Sequence, residues 1–230
     1  MLGCIRGTCG HVRILYGGET DREFFPLEAG PSDETKKEGK IMAKVLTKPR
    51  RNIYRMKVTL KGSEPLIWRR FLVPGDYKLS KLHKVLQIVM GWGEAHLHEF
   101  IINGVSFGEP SPEYGDVKML DHEKMTLSGM FHEEKKSFTY IYDFGDGWQH
   151  ELAVEKITVP EEGVHYPICL AGERACPPED CGGIGAYGYL LEALENPKTK
   201  DQKELAEWAG DFDPEAFDLG KVNSRLKRIK

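Results

Sequence analysis

Along residues 55–61 apolar and polar side chains alternate without a break: Met56, Val58 and Leu60 fall between Arg55, Lys57, Thr59 and Lys61. A period of two is that of a strand with one face buried and the other in water, so this stretch predicts a strand of an antiparallel sheet. Glu64-Pro65 turns the chain into a second strand, Ile67 to Val73, and Pro74-Gly75 ends that hairpin. Asn103-Gly104 joins residues 97–102 to 105–107 in a second hairpin, because both positions of a type I′ turn need positive φ. Asp146-Gly147, read as a two-residue turn, joins residues 138–144 to 148–159 in a third. Between the first two hairpins, Leu82, Val85, Leu86 and Val89 follow the i, i+3, i+4, i+7 spacing of a helix, with Ser80 as its expected N-cap and Gly91 as its stop. From Tyr187 onward the pattern is helical. Asn196-Pro197 is expected to end one helix and Asp213-Pro214 to start another, and Val222, Leu226 and Ile229 mark a last amphipathic piece. The expected fold is α+β: a mainly antiparallel sheet built from hairpins, one helix packed on it, and a helical C-terminal region.

The 230 residues, 40% of them hydrophobic, suffice for one core. Apolar runs stay well short of the roughly 20 residues of a membrane span, and Met1–Gly10 lacks the apolar stretch of a signal peptide. A cytoplasmic protein with no membrane partner is therefore expected. Residues 1–41 hold Gly17-Gly18, a polar run at 31–40 and no sustained period, and so read as a flexible leader before a single domain at 42–230. Lys37-Glu38-Gly39 can be encoded by a ribosome-binding sequence just upstream of Met42, which makes Met42 a candidate start and the leader a segment that is not translated. Charge is uneven: residues 42–142 carry 16 basic and 11 acidic side chains, 143–218 carry 5 and 18, and 219–230 carry 5 and none. The basic tail is expected to dock its apolar stripe on the body near the acidic third. A protein partner or nucleic acid is the other use of such local cations.

Three constellations carry chemistry. In the third hairpin, a two-residue turn would place Asp143 opposite His150, with Asp146 at the turn, as a pair able to orient an imidazole or act as a general base. A three-residue turn would separate them. Asp143-Phe144-Gly145 also occurs in kinases, but no glycine-rich nucleotide loop or catalytic His-Arg-Asp accompanies it. The five cysteines are an odd number split between Cys4, Cys9 and the group Cys169, Cys176, Cys181, so a secreted disulfide framework is not indicated. The three later thiols, in a loop with Pro177-Pro178, could wrap zinc with His98 or His150 as a fourth ligand, and that loop is expected to close over the third hairpin. Glu179 and Asp180 offer oxygen ligands for a harder cation instead. Finally, His96 and His98 lie two apart on one strand face and could share a metal. In each case the ordinary structural reading, a satisfied hairpin, buried thiols or strand-end histidines, competes with the chemical one.

Together, Pro65-Leu-Ile-Trp-Arg-Arg70, Gly91-Trp92, His96-Leu-His98-Glu-Phe100, Tyr142 to His150, Cys169 to Gly183, and Trp208 with Phe212 to Phe217 resemble the Ri-plasmid ORF-three-like family from about Tyr54 to Leu226. Members are also labelled insertion-element passenger proteins or TnpR resolvases. The resemblance implies a compact α+β domain without established activity, associated with plasmids and mobile elements. The nucleophilic serine with supporting arginines of a serine resolvase and a helix-turn-helix signal are not evident in the residues. A binding or accessory protein is the first expectation. A metal-dependent hydrolase or nuclease-like enzyme using His98, Asp143, Asp146 and His150 around an ion is the alternative.

Overall fold

The alternating segment forms β1 (Ile53–Leu60), and the hairpin through Glu64-Pro65 returns as β2 (Trp68–Pro74), with Thr59 opposite Trp68 and Ile53 opposite Pro74. These elements come from a computed structural model that describes residues 52–110 and 119–229, all within the compact unit Pro49–Lys230. The expectations for residues 1–41 lie outside the described residues. Helix α1 (Leu79–Met90) follows, then β3 (His98–Ile102), β4 (Val105–Gly108), β5 (Leu120–Asp121), a 3-10 turn at His122–Lys124, the short helix α2 (Leu127–Met130), β6 (Ser137–Tyr142), β7 (Trp148–Thr158) and β8 (Ile168–Glu173). Three helices end the chain: α3 (Gly183–Glu195), α4 (Lys200–Ala209) and α5 (Leu219–Leu226). The strands form one sheet in the order β5-β4-β3-β6-β7-β1-β2-β8, antiparallel except for the β4–β5 pair, so the fold is α+β.

Pairing across the sheet aligns Phe100, Tyr140, His150 and Leu60 in one row on its buried face. Helix α1 lies against that face with Leu82, Val85, Leu86 and Val89 buried, as its spacing predicts. Gly91 ends it in the left-handed conformation. Its start differs from expectation. Lys78 is the N-cap without a side-chain bond, and Ser80 lies buried inside the first turn. Asp213-Pro214 likewise makes a turn, in which Asp213 accepts from the Glu215 amide, and the helix starts only after Asp218, whose side chain accepts from Lys221 N. Between the end of the third expected hairpin and Tyr187, where the sequence pattern assigns no element, the chain forms β8 and the start of α3.

The basic tail docks as its stripe predicts. Leu226 of α5 is fully buried, Val222 and Ile229 pack beside it, and the Asn223 side chain bonds both the amide and the carbonyl of Cys169. Asn223 thereby takes the place of a neighbouring strand along the outer edge of β8, which blunts an edge that would otherwise invite pairing.

In the second hairpin Asn103 and Gly104 both have positive φ, as a type I′ turn requires. In the third the turn is longer than expected. Tyr142 pairs with Trp148, leaving residues 143–147 as a five-residue connection in which Asp143 and Gly147 have positive φ. His150 therefore faces Tyr140, not Asp143, and strand parity carries it into the core. Gly147, at φ 68°, would meet nothing within 4 Å if it carried a Cβ, so a side chain there costs backbone strain alone. Gly147→Val is expected to destabilise by about 1–3 kcal/mol in a urea melt. An unchanged midpoint would reject the left-handed assignment.

Candidate functional site

The turn of the third hairpin, the connection from α1 to β3 and the Pro177-Pro178 loop meet at one place. Asp143 reaches it because its left-handed backbone lets Oδ1 accept from the amides of Gly145 and Asp146 at 2.8 and 3.3 Å, while its own amide donates to Leu97 O. The other oxygen, Oδ2, lies 3.8 Å from His96 Nε2, and Asp180 Oδ1 lies 3.2 Å from the same nitrogen. Among the described residues, His96, Asp143 and Asp180 are the group of three whose ligand atoms all fall within 4.8 Å of one another. Asp143 is buried, His96 is partly covered and the Asp180 side chain is 73% exposed, so one side of the group faces solvent.

A dense set of bonds fixes these parts. Trp92 Nε1 donates to Pro177 O at 3.1 Å, and its ring stacks on Tyr142 with centroids 4.9 Å apart. The Tyr142 hydroxyl donates to Glu179 Oε1 at 2.9 Å and accepts from the Ala95 amide, while Glu179 Oε1 also accepts from Gly93 N. Burial, and the carboxylate of Glu179 beside it, raise the Tyr142 phenol above its ordinary range, so it remains the donor. Gly182 N donates to Asp146 Oδ2, and Gly183 passes so near the Asp146 carbonyl that a Cβ would sit 2.5 Å from it. The Pro177-Pro178 loop thus closes over the third hairpin, as expected from its rigidity.

The cysteines add no ligand atom to that group. Cys169 Sγ contacts the carbonyls of Arg70 and Ala171, whereas Cys176 Sγ lies 3.9 Å from the Arg69 guanidinium. No group of three metal-ligating atoms containing Cys169, Cys176 or Cys181 forms among the described residues. The three thiols, expected to converge beside His150, thus make no three-atom ligand group with it or with one another among the described residues. Strand β8 places Cys169 opposite Phe71, while Cys176 and Cys181 belong to the loop beyond it. Burial pushes the thiols of Cys169 and Cys181 up to about 11 and that of Cys176 to about 12, which keeps them neutral at pH 7. His150 is wholly buried, its Nε2 has no hydrogen-bond partner among the described residues, and burial lowers it to about 4. Asp146 is occupied by the Gly182 amide.

Next to this site, at the start of β3, lies a set of imidazoles of which local patterning singled out His98 alone, and His98 joins His83 and His122 there rather than His96. His98 Nε2 is 3.1 Å from His122 Nδ1, and His83 of α1 stacks on His98 with centroids 3.6 Å apart and planes 7° from parallel. His83 Nδ1 bonds the Tyr140 hydroxyl at 2.8 Å, and that hydroxyl accepts from Gln87 Nε2 at 3.0 Å. Burial is the main reason that His83 falls to about 3 and His98 to about 2. One signal for His83 and Gln87 was present. Two polar residues four apart sit among Leu79, Leu86 and Met90 on a helix, a position where polar groups find partners when they are buried. For His122 no local signal existed.

Residues 52–221 match the family described as plasmid pRiA4b ORF-3-like protein. A relative from Sinorhizobium fredii (strain NBRC 101917 / NGR234), called uncharacterized protein y4hQ, is 41% identical over 177 residues, covering 76% of this chain and 91% of that protein. A crystal structure of a protein of unknown function, MM3350 from Methanosarcina mazei Go1, is similar with a TM-score of 0.67 and 41% identity, over 74% of this chain and 96% of that one. No helix among the described residues is long and apolar enough to cross a membrane.

Proposed function

The chain belongs to the plasmid pRiA4b ORF-3-like protein family, whose members matched here carry no established activity, and from that premise we propose that it is a cation-dependent binding module centred on His96, Asp143 and Asp180. The observation that carries this reading is the convergence of one imidazole and two carboxylates from three separate segments to within 4.8 Å. One nitrogen and two oxygens suit a borderline divalent ion such as manganese, iron(II) or zinc. The exposed side of Asp180 leaves coordination positions open, where an anionic group of a protein partner or of nucleic acid completes the shell. Free, neutral thiols agree with a reducing compartment, and we place the protein in the cytoplasm on that account.

The test is elemental analysis of the full chain purified without chelator or His-tag, followed by titration with Mn²⁺ and Zn²⁺. About one equivalent is expected at this site, and Asp180→Asn, at an exposed position, should weaken it by more than about 10-fold. Uptake unaffected by both Asp180→Asn and Asp143→Asn would overturn the reading. The same open face favours a second one: a metal-dependent hydrolase in which the ion activates water. Cleavage of plasmid DNA or of a phosphodiester by the metal-loaded chain, lost in Asp180→Asn, would establish it in place of simple binding.

A further inference from the structure

We propose that the cleft between the C-terminal end of α1, the Pro177-Pro178 loop and α5 binds an organic phosphate monoester, an apolar or aromatic body that carries a phosphate group. The cleft holds a cavity of about 640 Å³, within the range of about 300–1,000 Å³ that takes a small organic ligand. Trp92, Pro178, Phe212, Phe217 and Val222 line it, and all of these except Trp92 keep part of their apolar surface in water. An apolar body seated there removes that surface from solvent. The wall is fixed in advance. Trp92 Nε1 donates to Pro177 O, Phe217 lies against the Arg69 guanidinium, and Ala175 N donates to Pro214 O at 2.9 Å. A preformed wall leaves little ordering to be done on binding.

Charge selects the other half of the ligand. Lys221 and Arg225, one turn apart on α5, line the cleft, and Arg225 also lines an adjoining cavity of about 550 Å³ together with Lys84 and Arg228. None of these four cations makes an ion pair with a described residue. The acids of the two walls are mostly engaged. Asp218 caps α5 through the Lys221 amide, Glu179 accepts from Tyr142 and Gly93, and Glu123 pairs with Lys78 at 3.0 Å. Glu94 is the remaining one. Four cations against one carboxylate leave an excess that a phosphate monoester, with about −1.5 to −2 charges at pH 7, offsets better than a single carboxylate does. Arg225 donates to Trp92 O at 3.4 Å through one terminal nitrogen, and the rest of its planar fork is available to phosphate oxygens.

The inference uses none of His96, Asp143 and Asp180, and its test is run with EDTA present, so it stands or fails apart from the cation reading. The probe is 1-naphthyl phosphate, titrated into the ¹⁵N-labelled full chain while the indole signals are followed. Trp92 lies in the wall of the cleft, whereas Trp208 is exposed outside it and serves as the control. A saturable shift of Trp92 with Trp208 unmoved is expected. 1-Naphthol and inorganic phosphate, the two halves of the probe, should each bind more than about 10-fold more weakly. Arg225→Gln should weaken the probe by more than about 10-fold. Lys221→Gln, at an exposed position, should weaken it in the same direction and keeps the charge requirement testable if Arg225→Gln loosens α5. A Trp92 signal unmoved by the probe, 1-naphthol binding as tightly as its phosphate, or unchanged affinity in folded Arg225→Gln and Lys221→Gln would overturn the proposal.

Discussion

Arg69→Ala is expected to lower the melting temperature by about 6–12 °C. Arg69 is 2% exposed, and its guanidinium faces carbonyls rather than a carboxylate. Nε donates to Val89 O at 2.8 Å, one terminal nitrogen to Trp68 O at 2.8 Å and Glu173 O at 2.7 Å, and the other to Arg174 O at 2.6 Å. The cation also lies over the Phe217 ring, 4.3 Å from its centroid. Four carbonyl dipoles, one of them at the C-terminal end of α1, stabilise the buried charge. Truncation leaves these acceptors without their donor. At about 1 kcal/mol each, the low end because strand carbonyls keep other bonds, the loss is at least about 3 kcal/mol. For a chain of this length each kcal/mol moves the melting temperature by about 2–4 °C. Lysine retains the charge but not the planar fork, so Arg69→Lys should recover less than half of the loss. Because Arg69 ties α1 and β2 to the loop carrying Glu179 and Asp180, both variants should also weaken the cation at His96. A melting temperature within about 2 °C of the unmutated value would refute the role.

Acid should unfold the metal-free protein well above the pH at which carboxylates titrate. His150 is lowered to about 4 and His83 to about 3, in both cases chiefly by burial of the ring, and His98 at about 2 acts in the same direction. In the unfolded chain each titrates near 6.5. Between those values the unfolded state binds protons that the folded state refuses, so stability is fully present above about pH 6.5 and is lost as pH falls toward the folded values. At pH 5 the loss is about 2 kcal/mol for each histidine, or about 4 kcal/mol for His150 and His83 together. That is a large part of the 5–15 kcal/mol typical of a domain. Urea unfolding with chelator at pH 7.5 and pH 5 measures it. His150→Phe, which keeps the ring volume and removes a titrating group, should cut the loss of that pair by about half. Equal stability at the two pH values would contradict the buried neutral state.

Local patterns in the sequence determined most of the framework. The alternation at 55–61 became β1, the Leu82 to Val89 stripe became the buried face of α1, Asn103-Gly104 made its tight turn, and the apolar positions of the tail docked. Each is a short-range preference that the tertiary structure reinforced. Parity along Trp148, His150, Leu152 and Val154 even contained the burial of His150, although the Asp-Gly dipeptide pointed to a shorter turn. Register was decided elsewhere. The left-handed Asp143, its carboxylate wrapped around the following amides, lengthens the turn and shifts the pairing. β8 escaped notice because an edge strand half covered by α5 lacks clean alternation. The candidate sites belong almost wholly to the tertiary structure. His96 meets Asp143 and Asp180 across 47 and 84 positions of chain, and His98 meets His122 across 24. Spacing along the chain informs on contacts within a helix, strand or turn, whereas these are made by packing of the sheet, α1 and the Pro177-Pro178 loop, whose positions relative to one another no local preference encodes.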